Sequence, residues 1–453
     1  MHFSLRRRSR LRIARVAVVT TVVGITVATV STSSVGQHHT SPVALHDSGL
    51  RVGRGVAAMP STGVVHFTQS ATAKPQTPRA TPKPTPTPPP PPPPAPAPPP
   101  PPPGPPAREV MGFAPSWTLD TWPEWHMRDL SAIAYFAVTI DGNGNTVTDD
   151  AWPTWQSQQL TDMVNAAHAN HVKVLVTVKN FVTDEINSIV TSGQHMATAV
   201  QTATDLMRMR GLDGVVVDFE GASSPQYPFL QQGIVQFSAA LQASVHAYRA
   251  DAEYVLATYS GSASWDDGIF NIGKLGPTVD AFFVMAYDMN SDNNPGHAGA
   301  TSPLSGGQFN DTDAISQYLA KTTADKVILG VPYYGYKWSV SSYDANAATT
   351  GPAEAETYSQ LIRDLTCGQV DLAVHQQDPT PWAVWNSVPS GDPCGANLGS
   401  WREVYFDTAL SLGAKYDLVN RSNLRGTGMW ALGFDAGHND LWDALHSHLS
   451  ARH

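Results

Sequence analysis

Two carboxylates two residues apart, Asp218 and Glu220, close the apolar run GLDGVVVDFEG (Gly211–Gly221). The β-branched Val215, Val216 and Val217 predict a buried strand. Strand side chains alternate between faces, so Val216, Asp218 and Glu220 share one face, while Asp213, Val215, Val217 and Phe219 share the other. Two acids on one face, with Cα atoms roughly 7 Å apart, shift each other's proton affinity and suit acid/base work. That chemistry is expected if the strand lies in a parallel sheet, where its C-terminal end is the place barrel enzymes gather their sites. The alternative is a strand end whose acids are solvated or paired with a cation.

The elements that must hold this pair begin at Glu109. Short apolar runs alternate there with helix-like stretches, the signature of βα units. Strands are expected at Val110–Ala114, Ala132–Val138, Val172–Val178, Gly214–Phe219, Tyr254–Tyr259, Ala281–Tyr287, Val327–Val331 and Gly428–Leu432. The clearest helices are Gln158–Asn170, Met196–Arg210, Gly233–Ala250 and Asp311–Thr323. Eight strands in this order predict an α/β fold, a (β/α)8 TIM barrel over residues 108–453. The stretch between strands seven and eight is too long for one helix, so a small α+β insertion is expected at about residues 333–400. Cys367 and Cys394, the two cysteines of the chain, both fall there. In an exported protein they are expected to form a disulfide worth roughly 3–4 kcal/mol; a pair of buried free thiols is the alternative.

The 453 residues are charged unevenly. Residues 1–109 hold 12 of the 28 basic and 2 of the 38 acidic side chains, a net charge of +10, which leaves −20 for the rest. An acidic globular part argues against a nucleic-acid partner, which needs a basic footprint. Two cysteines exclude a four-cysteine zinc site, and there is no H-E-x-x-H and no Gly-rich phosphate loop. Six arginines within residues 1–15 precede the largely apolar Val16–Val30, so residues 1–36 read as an export signal. The apolar core is short for a membrane span, and no clean cleavage site is visible. Cleaved secretion and an uncleaved anchor on the outer face of the membrane therefore both remain open. Residues 37–74 read as a disordered spacer. Residues 75–107 are a polyproline linker, with 21 of the 37 prolines between Pro75 and Pro106. Such a run cannot form helix or sheet; it adopts a stiff rod that can reach on the order of 100 Å through a cell envelope.

The Asp218 strand resembles the active-site strand of glycoside hydrolase family 18, the chitinase family, whose pattern is D-x-x-D-x-D-x-E. Asp213, Asp218 and Glu220 match, and Val216 stands in place of the second Asp. The resemblance extends over residues 110–453. Met111–Trp117 (MGFAPSW) is similar to the first strand, and Phe282–Asp288 (FFVMAYD) to the sixth-strand M-x-Y-D motif. Leu329–Trp338 (LGVPYYGYKW) is similar to the seventh-strand segment, and Ser411–Asp435 to the closing segment. The resemblance implies substrate-assisted retaining hydrolysis, an exception to the usual two-carboxylate scheme. Glu220 would be the general acid, and the substrate's own 2-acetamido group the nucleophile. Asp218 would hold the acetamido N–H, Tyr287 would donate to its carbonyl oxygen, and Asp288 would position the sugar. Trp430 would form the apolar floor, with Met285, Phe113, Trp117 and Tyr334 also placed on the substrate side. Trp117, Trp265, Tyr334 and Trp338 are expected in loops after strands, where they can line a sugar groove. The implied partner is a polysaccharide with N-acetylglucosamine units, handled by a monomer without metal or organic cofactor.

Three departures from the family pattern are expected to cluster. Val216 replaces the deep Asp, Phe113 stands where a Tyr is frequent, and KNF (Lys179–Phe181) replaces a Gly-Gly pair, with Thr177 in the usual Ser place. They predict an apolar floor under Asp218 and put chitin in question as the substrate, leaving the glycan of peptidoglycan as the alternative. A non-hydrolytic sugar-binding relative would be expected to have lost the acid, and Glu220 is present.

Overall fold

The computed structural model describes residues 108–265, 268–291, 296–367, 373–374, 381–386 and 401–449. The expected export signal, spacer and polyproline arm lie outside the described residues, as does the pairing of Cys367 with Cys394. Among the described residues no helix is long and apolar enough to cross a membrane.

All eight expected strands form. They are β1 (Glu109–Pro115), β2 (Ala132–Thr139), β3 (Lys173–Asn180), β4 (Gly214–Phe219), β5 (Glu253–Tyr259), β6 (Ala281–Met285), β7 (Val327–Pro332) and, after the insertion, β13 (Gly426–Trp430). They close a parallel barrel in which β13 lies between β7 and β1. Most boundaries lie within one or two residues of expectation, and two of the shifts bear on the site. Strand β6 stops at Met285, so Tyr287 and Asp288 sit just beyond it. Strand β13 ends at Trp430 rather than Leu432. The expected helices also form, the longest being Leu230–Tyr248 and Gly193–Met209. Their buried faces cover the outside of the sheet, which is why the strands read as continuous apolar runs rather than alternating ones.

The insertion is an antiparallel sheet with the helix Tyr358–Cys367. Its strands are β8 (Tyr334–Val340), β9 (Thr349–Thr357), β10 (Ala373–Val374), β11 (Pro381–Asn386) and β12 (Trp401–Phe406), in the order β10-β11-β12-β8-β9. β12 lies beyond the expected limit at residue 400. β8 starts only two residues after β7 ends, so the chain passes from barrel to insertion with one residue between strands. Tyr334 and Trp338 are therefore on a strand, not in a loop. Trp338 is buried and packs on Tyr336; it is core of the insertion and lines no groove.

The lumen of the barrel has three storeys. At its N-terminal mouth, Arg425 pairs with Glu109 (2.5 Å) and Glu253 (3.0 Å), and Lys173 reaches Glu253 as well. Above lies an apolar layer. Phe113 on β1 meets Phe283 on β6 edge-on at 4.7 Å; these strands are not neighbours, so the contact crosses the lumen. Room for the Phe283 ring comes from Gly330 and Gly428, where a Cβ would sit 2.7 and 2.6 Å from ring carbons. Val216 and Thr177, register partners on β4 and β3, are fully buried. The third storey, at the C-terminal mouth, carries the chemistry.

Candidate active site

Asp218 and Glu220 reach the C-terminal mouth because β4 ends there with the parity expected from the sequence. Asp213, on the opposite parity, turns outward. It accepts hydrogen bonds from Arg249 (2.6 Å) and the Val174 N–H (2.7 Å) and pairs with His168 (2.8 Å). It ties the start of β4 to two helices and takes no part in the site.

Asp218 is buried, and its Oδ1 accepts no hydrogen bond. Burial lifts its pKa to about 7, against the pull of the Lys179 ammonium. Val216 places no carboxylate beneath it; burial, not a deep acidic neighbour, is the cause of the lift. Glu220 is held well above the ordinary range, first by burial, then by Asp218 and Asp288, with Lys179 opposing. Its protonated form is favoured accordingly. Both acids are thus biased toward their protonated forms, Asp218 by burial and Glu220 by burial and its acidic neighbours.

Tyr287 and Asp288 follow β6 and close the third side. Asp288 adopts a left-handed backbone (φ 57°), and its N–H donates to Thr301 Oγ1 (3.0 Å). Its Oδ1 accepts from Tyr334 (2.5 Å) and Tyr336 (2.9 Å), both on β8. Burial raises Asp288 in spite of these donors. The insertion therefore supplies two of the hydroxyls that fix an acid of the site. Tyr334, expected on the substrate side, is buried with its hydroxyl committed to Asp288 and its ring edge-on to Tyr287 at 6.0 Å. Burial, then Asp218 and the other two acids, push the Tyr287 phenol well up, so it stays a neutral donor.

Trp430, half-buried, lies against Phe136 (4.6 Å), Phe113 (5.6 Å) and Trp117 (6.3 Å). Phe113 is buried beneath it and props the indole. Trp117 is 41% exposed, which leaves apolar surface at the rim. Met285 is half-buried at the end of β6, beside Tyr259 in register. Trp265 packs edge-on to Phe309 at 6.2 Å. The peptides Phe136–Ala137 and Trp430–Ala431 are cis.

Three participants are not among the sequence-derived site residues. Lys179 is the register partner of Asp218, with Nζ 5.2 Å from the ring centres of both Phe136 and Phe181. Tyr336 shares the parity of Tyr334 in YYGYKW and so faces Asp288 with it. Tyr259, at the end of β5, donates to the Gly221 carbonyl (3.2 Å) and feels Glu220 and Asp218. Parity along β3 and β8 is the signal that could have found the first two. Among the described residues no group of three or more His, Cys, Asp or Glu side chains could hold a metal ion. The arrangement can deliver a proton from Glu220, accept an N–H at Asp218, donate one hydroxyl from Tyr287, and seat a flat apolar face on Trp430.

Known proteins share this architecture. The family model of glycosyl hydrolases family 18 matches residues 109–435. YdhD of Bacillus subtilis (strain 168), whose name proposes a sporulation-specific glycosylase, is 25% identical over 316 residues, 68% of this chain and 67% of that protein. Mouse (Mus musculus) chitotriosidase-1 is 23% identical over 350 residues, 69% of this chain and 71% of its own. The structure of a GH18 chitinase from Cycas revoluta in complex with (GlcNAc)3 superposes with a TM-score of 0.64 at 17% identity. It covers 75% of this chain and 99% of the plant chain, a likeness of fold.

Proposed function

The chain belongs to glycosyl hydrolases family 18, and from that membership we propose that it is an exported glycosidase. It cleaves β-1,4 bonds next to N-acetylglucosamine, in chitin or its oligomers, by substrate-assisted retaining hydrolysis. The observation that carries this reading is the placement of two acids, Asp218 and Glu220, at the C-terminal end of β4 in the barrel lumen. Burial, with Asp218 and Asp288 nearby, favours the protonated form of Glu220, and burial lifts Asp218 to about 7. Glu220 gives its proton to the glycosidic oxygen as the bond to C1 breaks. The substrate's acetamido oxygen attacks C1 from the other face, forming an oxazolinium ring. Asp218 accepts the acetamido N–H and offsets the positive charge of that ring; Tyr287 orients the attacking oxygen. Water then opens the ring, with the Glu220 carboxylate taking its proton. Trp430 packs on the sugar face.

Peptidoglycan glycan is the second reading. The proline-rich composition of residues 75–107, which suits a rod reaching into a wall, favours it. Export, by secretion or by a retained N-terminal anchor, rests on the arginine-rich head and the apolar stretch after it. Incubating the full chain with chitin oligomers and with purified peptidoglycan, and weighing the products, tests both readings. Products ending in reducing N-acetylglucosamine support the assignment. Hydrolysis of a cellulose oligomer, which lacks the acetamido group, would refute it.

A further inference from the structure

We propose that Lys179 is a positioning residue of this site: its ammonium is the counter-charge that keeps Asp218 a carboxylate aimed at the substrate's acetamido group. The inference rests on the glycosidase reading above. It starts from placement. Lys179 and Asp218 are direct register partners on adjacent parallel strands, so their side chains leave the sheet on the same lumenal face, about 4.8 Å apart at the backbone. The Lys179 ammonium lies over the rings of Phe136 and Phe181 at 5.2 Å, and Phe136 is the ring that packs edge-on against Trp430. An ammonium over aromatic faces is attracted to them and held in place. The same ring that steadies the cation therefore steadies the sugar floor.

The charge balance makes this cation matter. The groups that bear on Asp218 and Glu220 are each other, Asp288, the phenols Tyr259 and Tyr287, and Lys179. Three are acids and two are neutral donors; Lys179 is the cation. Asp288 is already occupied by tyrosine hydroxyls, whereas Asp218 Oδ1 is buried without a hydrogen bond. Beneath Asp218 lie Val216 and Thr177, and the Thr177 hydroxyl also has no partner. The floor thus makes no hydrogen bond to Asp218 Oδ1, and the stabilisation of its charge falls to the neighbouring strand. Lys179 also lowers Glu220, so its removal should lift both acids together.

The test uses the full chain as wild type, Lys179→Met and Lys179→Arg. Asp218 is titrated by carboxyl NMR in protein carrying labelled aspartate, its signal assigned by loss in Asp218→Asn. In Lys179→Met the Asp218 midpoint should rise by about one pH unit or more, and Lys179→Arg should restore it. With N-acetylglucosamine oligomers, kcat of Lys179→Met near pH 6 should fall about 10–100-fold. Both limbs of the kcat profile should move to higher pH, and KM should change less than about threefold. An unmoved Asp218 midpoint overturns the inference. So does a loss confined to KM with the pH profile unchanged, which would make Lys179 a substrate contact. If the wild type cleaves no N-acetylglucosamine polymer, the glycosidase reading fails, and the titration still decides whether Lys179 sets the charge of Asp218.

Discussion

The two mouths of the barrel lumen are built from the same residue types and behave differently. At the N-terminal mouth, two acids, Glu109 and Glu253, face two cations, Arg425 and Lys173, in direct contact. Burial pushes Glu109 up even there, and Arg425 pulls it back. At the C-terminal mouth, Asp218 and Glu220 feel Lys179, while Asp288 is held by the Tyr334 and Tyr336 hydroxyls. A buried charge needs a partner or a proton. The first mouth has enough cations to use pairing, and it is a plug. At the second, burial and the neighbouring acids outweigh Lys179 and favour the protonated form of Glu220. Balance makes structure; imbalance makes chemistry.

The comparison can be broken at either end. The largest expected effect is at Glu220: Glu220→Gln should lower turnover by about 10²–10⁴ with the protein still folded. Circular dichroism beside product assays checks this, and an undiminished rate on an unactivated substrate removes Glu220 from the mechanism. At the other mouth, Arg425→Met leaves Glu109 without its ion-pair partner, while Glu253 keeps Lys173. It should cost about 3–5 kcal/mol of stability, read as a lower denaturation midpoint, with kcat unchanged while the protein is folded. If stability held, the plug would not be an ion-pair structure.

A smaller effect of opposite sign is expected at Asp218. Burial sets its folded pKa at about 7, above roughly 3.9 in the unfolded chain. The unfolded state releases the proton from about pH 4 and the folded state only near 7, so this group's contribution to stability falls from pH 4 to 7 and is flat above. Asp218→Asn should remove that slope and gain on the order of 1–3 kcal/mol at pH 8, at the expense of turnover. Denaturant melts at pH 4 and pH 8 decide it; equal slopes in mutant and wild type would show that Asp218 does not carry the burial penalty. The smallest effect belongs to the insertion. Tyr336→Phe removes one donor from Asp288 and should cost about 1 kcal/mol in transition-state stabilisation. An unchanged kcat/KM would mean that Tyr334 alone holds Asp288.

The sequence by itself determined the strands, their order and the parity of Asp218 and Glu220. Each of these depends on local information: β-branched runs, breakers between them, and a period of two. The family motifs added roles for Tyr287, Asp288 and Trp430, because a short run of residues carries them. The tertiary structure alone decided which side chains meet. Lys179 reads in the sequence as part of a departure from the family pattern near Asp218; the register of β3 on β4 makes it the direct partner of Asp218. Tyr334 and Trp338 read as loop residues because YYGYKW follows a strand. The immediate start of β8 turned one toward Asp288 and buried the other. Phe113 and Phe283 are 170 positions apart and touch because closure of the barrel brings β1 and β6 face to face across the lumen. Register and closure are set by packing summed over the whole sheet, and no window of the chain contains them.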